Sequence, residues 1–341
     1  MLGSIVLTGD CRELLKTLPN RSVHCIVTSP PYFGLRNYNV ADQMGLEPTL
    51  AAYIDGMVAV FRECRRVLRD DGTFWLVIGD SYAGAGKTGG ATEKQSTNVG
   101  SFVGGKVMVP QGLKAKDLMM VPARLAIALQ ADGWWIRSDI IWAKPNPMPE
   151  SVLDRPTSAH EHIFLLTKSA RYFYDAAAVR TSLLPSSLDR LNQDVNAQDG
   201  LNRANGGAKT NGAMKAVARI DKQRGHGRRH DGFNDRWNEM PKSEQMAGGA
   251  NLRNVWTIAT QGFPGSHFAT FPTEIARRCI KAGCPVGGTV LDPFLGSGTT
   301  LMVAEQLGRD GIGIELNPQY VSLARSRIFN DAPMFANVDV A

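Results

Sequence analysis

Short apolar runs alternate with helical periodicity along most of the chain. SIVLT (4–8) is followed by the helical pattern CRELLKTL (11–18) and by VHCIVT (23–28). Apolar positions recurring from Thr49 to Arg69 predict a long helix ended by the turn Asp70-Asp71-Gly72. Behind it, the nearly all-apolar TFWLVIG (73–79) predicts a strand. Short strands that are apolar on both faces and alternate with helices are what a parallel sheet covered on both sides requires, so the fold class is α/β.

Residues 80–112 interrupt this pattern with a run rich in Gly, Ser, Thr and Lys that has no usable period, and they read as a loop. Val121-Pro122 suits the first turn of a helix running to about Ala131, and WWIRSDIIWAK (134–144) and HIFLLTK (162–168) read as further strands. From about Ala176 to Ala250 the composition shifts to Asn, Gly, Arg, Lys, Ser and Asp. Strand and helix patterns then return at 255–258, 273–282, 287–292, 299–307, 311–315 and 318–329. The expected organisation is a first catalytic part over 1–175, an irregular lobe over 176–250 and a second catalytic part over 251–341.

With 43% hydrophobic residues in 341, the chain has ample material for a core, and neither a disordered nor a collagen-like chain would have this composition. The five cysteines are dispersed and form no CxxC pair, so neither a disulfide framework nor a zinc site is suggested and a reducing cytosol is expected. No apolar run reaches the ~18 residues of a membrane span, and the first residues lack the pattern of a signal peptide. The net charge of +6 changes the picture only through its placement. Lys222, Arg224, Arg228 and Arg229 cluster with His226 and His230 in the central segment. Such a cluster is either a solvated loop or a phosphate-contacting surface.

The most informative motif is VLDPFLGSGTT (290–300). A strand ends in Asp292, and Gly296 and Gly298 let the backbone approach a ligand where the next helix begins, with Thr299 or Thr300 as its cap. The next strand, GIGIE, ends at Glu315, where an acid can accept hydrogen bonds from ribose hydroxyls. The GSG spacing fits neither GxGxxG nor a P-loop, which points to a nucleoside cofactor without a pyrophosphate. GAGKT (84–88) also fails as a P-loop, because Ser81 stands where glycine is needed. In TSPPY (28–32) two prolines remove backbone donors and leave the Ser29 and Pro30 carbonyls in a rigid turn beside Tyr32. An acceptor-rich turn with an aromatic ring suits an amino group on a flat ring. His160 and His162 share a strand face, but no third ligand is spaced to join them, so no metal is expected.

In this order, TSPPY, the variable basic segment and DPFLGSGTT resemble the β-class DNA amino-methyltransferases. GDCRELLKTLP (9–19), FRECRRVLRDDGTFWLVIGD (61–80), WAKPNPMPE (142–150), HEHIFLLTK (160–168) and HFATFPTEIARRCI (267–280) extend the likeness over nearly the whole chain. The resemblance implies a Rossmann-like methyltransferase fold with permuted motif order, S-adenosylmethionine as cofactor, double-stranded DNA as substrate and a homodimer. It places Asp10 at the cofactor adenine and Glu315, with Asn317 beyond it, at the ribose. His267, Phe268, Thr270, Phe271 and Pro272 belong at the methionine end, with Asp292, Pro293, Phe294, Gly296, Gly298 and Thr299. Ser29, Pro30, Pro31 and Tyr32 form the methyl-acceptor pocket, with Phe33 a second candidate to stack on an extruded base. The chain offers no Pro-Cys nucleophile, only the reversed Cys284-Pro285, so direct transfer to an exocyclic amine is implied. RNA or protein amide methylation and a P-loop ATPase are the weaker readings. Serine at the head of SPPY leans toward cytosine N4, whereas the longer TSPPYFGLRNY resembles a subgroup with adenine-specific members, and adenine N6 is the expectation.

Overall fold

The computed structural model describes residues 3–35, 37–38, 40–84, 109–192, 248–261, 271–331 and 338–340. The elements in chain order are β1 (Ser4–Thr8), α1 (Cys11–Thr17), β2 (Val23–Thr28), α2 (Leu50–Val67), β3 (Leu68–Ile78), α3 (Val121–Ala131), β4 (Trp135–Ala143) and β5 (His160–Thr167). There follow α4 (Pro185–Asn192), β6 (Val255–Thr257), α5 (Thr273–Gly283), β7 (Thr289–Asp292), α6 (Thr299–Gln306), β8 (Asp310–Glu315), α7 (Pro318–Asp331) and β9 (Val338–Val340). Among the described residues no helix is long and apolar enough to cross a membrane.

The strands form one sheet in the order β6-β4-β5-β3-β2-β7-β8-β1-β9. Every neighbouring pair is parallel except the two that involve β5, which runs against β3 and β4. The carboxyl ends of the other strands therefore share one edge with the amino end of β5. Because β2 lies beside β7, the proline turn and the glycine loop, separated by some 260 residues of chain, emerge side by side. Ligands in open α/β sheets bind at such an edge, where neighbouring connections diverge.

Local chemistry explains the element boundaries. Thr49 caps α2 by accepting from the Ala52 amide at 3.1 Å. The helix buries Tyr53, Met57, Phe61 and Cys64 at three- and four-residue spacing. Tyr53 Oη donates to the Pro31 carbonyl at 2.9 Å, tying the proline turn to the core. The turn expected at Asp70-Asp71-Gly72 does not separate helix from strand. It is an excursion inside β3, whose pairing with β2 passes from Val23↔Leu68 to Cys25↔Thr73.

The described residues divide into two compact units, one of Met1–Ala178 with Arg253–Ala341, the other of Val179–Leu252. In the second, Thr181 and Ala250 exchange backbone hydrogen bonds at 2.9 and 2.8 Å, and Arg180 Nη1 donates to the Gly248 carbonyl at 2.7 Å. This unit also holds α4, an element not expected in a segment so poor in large apolar residues.

Candidate active site at the carboxyl edge of the sheet

A cavity of about 490 Å³ opens at this edge. One side is lined by Asp10 after β1, by Pro293, Phe294, Gly296 and Thr299 of the glycine loop, and by Glu315 and Asn317 after β8. On the other lie Ser29, Pro30, Pro31 and Tyr32 after β2, with Trp142, Lys144 and Glu161. Phe271 also reaches it, so one cavity unites most of the described residues the motifs singled out. Asp292, Gly298 and Pro272 are buried and do not line it. His267, Phe268, Thr270, Lys222, Arg224, Arg228 and Arg229, and the GAGKT segment beyond Gly84, lie outside the described residues.

The glycine loop is held by buried polar groups. Asp292, 1% exposed, accepts Thr28 Oγ1 at 2.6 Å, Thr300 Oγ1 at 2.7 Å and the Phe294 amide at 3.1 Å. Burial pushes its carboxyl from 3.8 up to about 6, and the three donors oppose that shift. Asp292 thus works as the bracket of the loop. Gly296 and Gly298 both have positive φ, and a Cβ at Gly298 would come 3.0 Å from that of Ala324. Arg327 of α7 donates to Ser297 Oγ at 2.8 Å and Thr299 Oγ1 at 2.7 Å, binding the start of α6 from behind. Nothing in the motif announces Arg327, because the contact depends on how α7 packs.

Glu315 accepts the Gly296 amide and the Asn317 amide, both at 2.8 Å, one on each oxygen. Burial raises its pKa against the pull of these bonds. Each oxygen keeps a lone pair that can face a hydroxyl in the cavity. Asn317 caps α7 through its side chain, which accepts the Gln319 amide at 2.9 Å. Asp10 caps α1 and accepts the Arg12 amide at 2.8 Å and the Arg12 guanidinium. Burial works against its charge, but these bonds outweigh it and hold the carboxyl below its usual value. Two carboxylates on one wall suit a ligand that brings hydroxyls, an amine and positive charge.

At the proline turn, Ser29 Oγ donates to Tyr32 Oη at 3.3 Å, and Tyr32 Oη donates to Glu161 Oε2 at 2.6 Å. Burial, with the Glu161 carboxylate beside it, raises the phenol well above its usual pKa, so it stays a donor. Phe33 does not join the turn as a stacking ring. It is 4% exposed and packs against Tyr53 with centroids 5.4 Å apart, since the chain turns into the core there. Tyr38 instead meets Tyr320 edge-on at 6.3 Å, and both line the cavity. On β5, His162 Nδ1 lies 2.9 Å from Asp139 Oδ1, and among the described residues no three His, Cys, Asp or Glu are grouped to hold a metal ion.

Comparison with known proteins gives a consistent set of likenesses. The family described as DNA methylase matches residues 23–326. The type II methyltransferase M.SmaI of Serratia marcescens is 42% identical over 323 residues, covering 95% of this chain and 90% of that protein. M.Cfr9I of Citrobacter freundii is 41% identical, with 96% and 88% covered. Among solved structures, PvuII DNA methyltransferase, described as cytosine-N4-specific, superposes with a TM-score of 0.59 at 17% identity, with 99% and 95% of the two chains covered. The Thermus thermophilus protein TTHA0409, described as a DNA modification methylase complexed with S-adenosyl-L-methionine, gives 0.56 at 22% identity, with 99% and 97% covered.

Proposed function

The chain belongs to the N6/N4 family of DNA methylases and is an S-adenosylmethionine-dependent DNA methyltransferase, and from that premise we propose that the Ser29–Tyr32 turn receives an extruded base and directs its exocyclic amine to the methyl donor. The carboxylates of the opposite wall fit the cofactor. Glu315 offers a lone pair on each oxygen to the ribose hydroxyls, and Asp10, ionised through Arg12, meets the adenine amine. S-adenosylmethionine, when bound, supplies an electrophilic methyl group. An aromatic amine is a poor nucleophile because its lone pair is delocalised into the ring. The Ser29 hydroxyl and the Pro30 carbonyl accept its N–H bonds and localise that pair, while Tyr32 stacks on the ring, so that catalysis rests on positioning and electrostatics.

The observation that carries the choice of base is the fate of the long TSPPYFGLRNY segment. Beyond the turn, Leu35 and Tyr38 still line the cavity, but Phe33 is taken up by the core and adds no second ring beside Ser29 and Tyr32. What faces the amine is the serine head, which leans toward cytosine. We therefore assign cytosine N4 as the target, with adenine N6 as the alternative. Incubating unmethylated DNA with the enzyme and cofactor and digesting it to nucleosides for mass spectrometry is expected to yield N4-methylcytosine. N6-methyladenine would reverse the assignment of base, and neither product would sink the acceptor pocket.

In the same reading, the cluster from Lys222 to Arg229 contacts DNA phosphates and the enzyme is a homodimer, which light scattering decides. Replacing Arg224, Arg228 and Arg229 with neutral residues should flatten the salt dependence of DNA binding by about 0.9 for each phosphate no longer neutralised, and spare cofactor binding. An unchanged slope would return the cluster to a solvated loop.

A further inference from the structure

Glu161 and Lys144 belong neither to the glycine loop nor to the proline turn, yet both line the acceptor side of the cavity. Tyr32 Oη donates to Glu161 Oε2 at 2.6 Å, and Lys144 Nζ donates to Oε1. The two side chains are only 17% and 18% exposed. Lys144 also lies over the Trp142 ring, 4.5 Å from its centroid, and Trp142 Nε1 donates to the Ile258 carbonyl at 2.8 Å. Behind the pair stands Gly79, where a Cβ would come 2.8 Å from Tyr32 Cε2 and 3.2 Å from Glu161 Cγ and Cδ. The backbone is bare where the phenol and the carboxylate need room.

An exposed ion pair would contribute little, but this one is enclosed and commits one carboxylate oxygen to the phenol. Fixing a side chain at the moment of binding costs conformational entropy, and a ring already fixed avoids that cost. Ser29 is coupled to the same anchor, because its hydroxyl donates to Tyr32 Oη at 3.3 Å. Resting on the acceptor-pocket reading above, we propose that Glu161, held by Lys144, is a positioning residue for methyl transfer. It fixes Tyr32 Oη, and so presets both the ring on which the base stacks and the hydroxyl that meets the amine.

The test compares E161A, E161Q, Y32F and E161A/Y32F in the full chain, using unmethylated genomic DNA as substrate. E161A should lower kcat about tenfold or more, since a misplaced acceptor forfeits alignment, with cofactor Kd within about twofold of wild type. E161Q should stay within about threefold, because either amide atom can pair with the phenol. Y32F should resemble E161A, and the double variant should be no worse than Y32F alone, as expected of two residues acting through one contact. Tyrosine labelled with carbon-13 at Cζ gives a readout that needs no turnover. The Tyr32 resonance should move in E161A and hold in E161Q. Additive losses, or a Tyr32 resonance indifferent to E161A, would overturn the proposal. If the wild type methylates no DNA, the acceptor reading fails, while the resonance still decides whether Glu161 holds the ring.

Discussion

Ser29→Ala is expected to slow methyl transfer about 10²–10³-fold while leaving S-adenosylmethionine affinity within about twofold of wild type. The size follows from the role proposed for the hydroxyl. An acceptor fixed in a partly dry site and aimed at a group whose charge changes during reaction contributes on this scale when removed. The affinity should hold because the hydrogen bond of Ser29 runs to Tyr32, away from the loop that Asp292 and Glu315 organise. Steady-state rates with cofactor titration by calorimetry check both halves. A tenfold or smaller loss would shift the burden of catalysis to backbone carbonyls, and a parallel loss of affinity would make Ser29 a structural residue.

The second large effect concerns Asp292 and runs with pH. Burial raises its carboxyl from 3.8 to about 6, so the folded chain binds this proton more tightly than the unfolded chain does. The corresponding stabilisation is fully present below about pH 3.8. It falls as pH rises and is gone above about pH 6, a change of about 3 kcal/mol. Asp292→Asn keeps the shape and cannot ionise. The stability difference between wild type and D292N should therefore move by about 2 kcal/mol against wild type between pH 4 and pH 7. Urea unfolding midpoints across that range measure it, and parallel curves would show that Asp292 carries no such penalty.

The sheet-forming runs, the helix start at Pro122 and the strand ends at Asp292 and Glu315 are legible in the sequence, because apolar period, proline and glycine act locally. The direction of β5 is not. HIFLLT is apolar on both faces whichever way it runs, and only its pairing with β3 and β4 reverses it. That reversal is what brings Glu161, which the sequence shows only as one residue of the block HEHIFLLTK, to Tyr32. Arg327 is hidden for the same reason, since its partners Ser297 and Thr299 are set by how α7 packs against α6. Phe33 misleads because an aromatic residue next to a site and one leaving it for the core look alike in one dimension.

The pairing of β1 with β8 also sets an order of events at the ribosome. Ser4 to Thr8 lie against Gly311 to Glu315, and Gly9 donates to the Glu315 carbonyl at 2.9 Å, so one wall of the cavity joins segments made some 300 residues apart. At about 5–20 residues per second, β1 waits roughly 15–60 s for its partner. The proline turn, α2 and β3 emerge together and can pack long before that. Each newly made molecule therefore assembles the acceptor side first and becomes able to hold the cofactor last, and a nascent chain released before β8 has no means of modifying DNA.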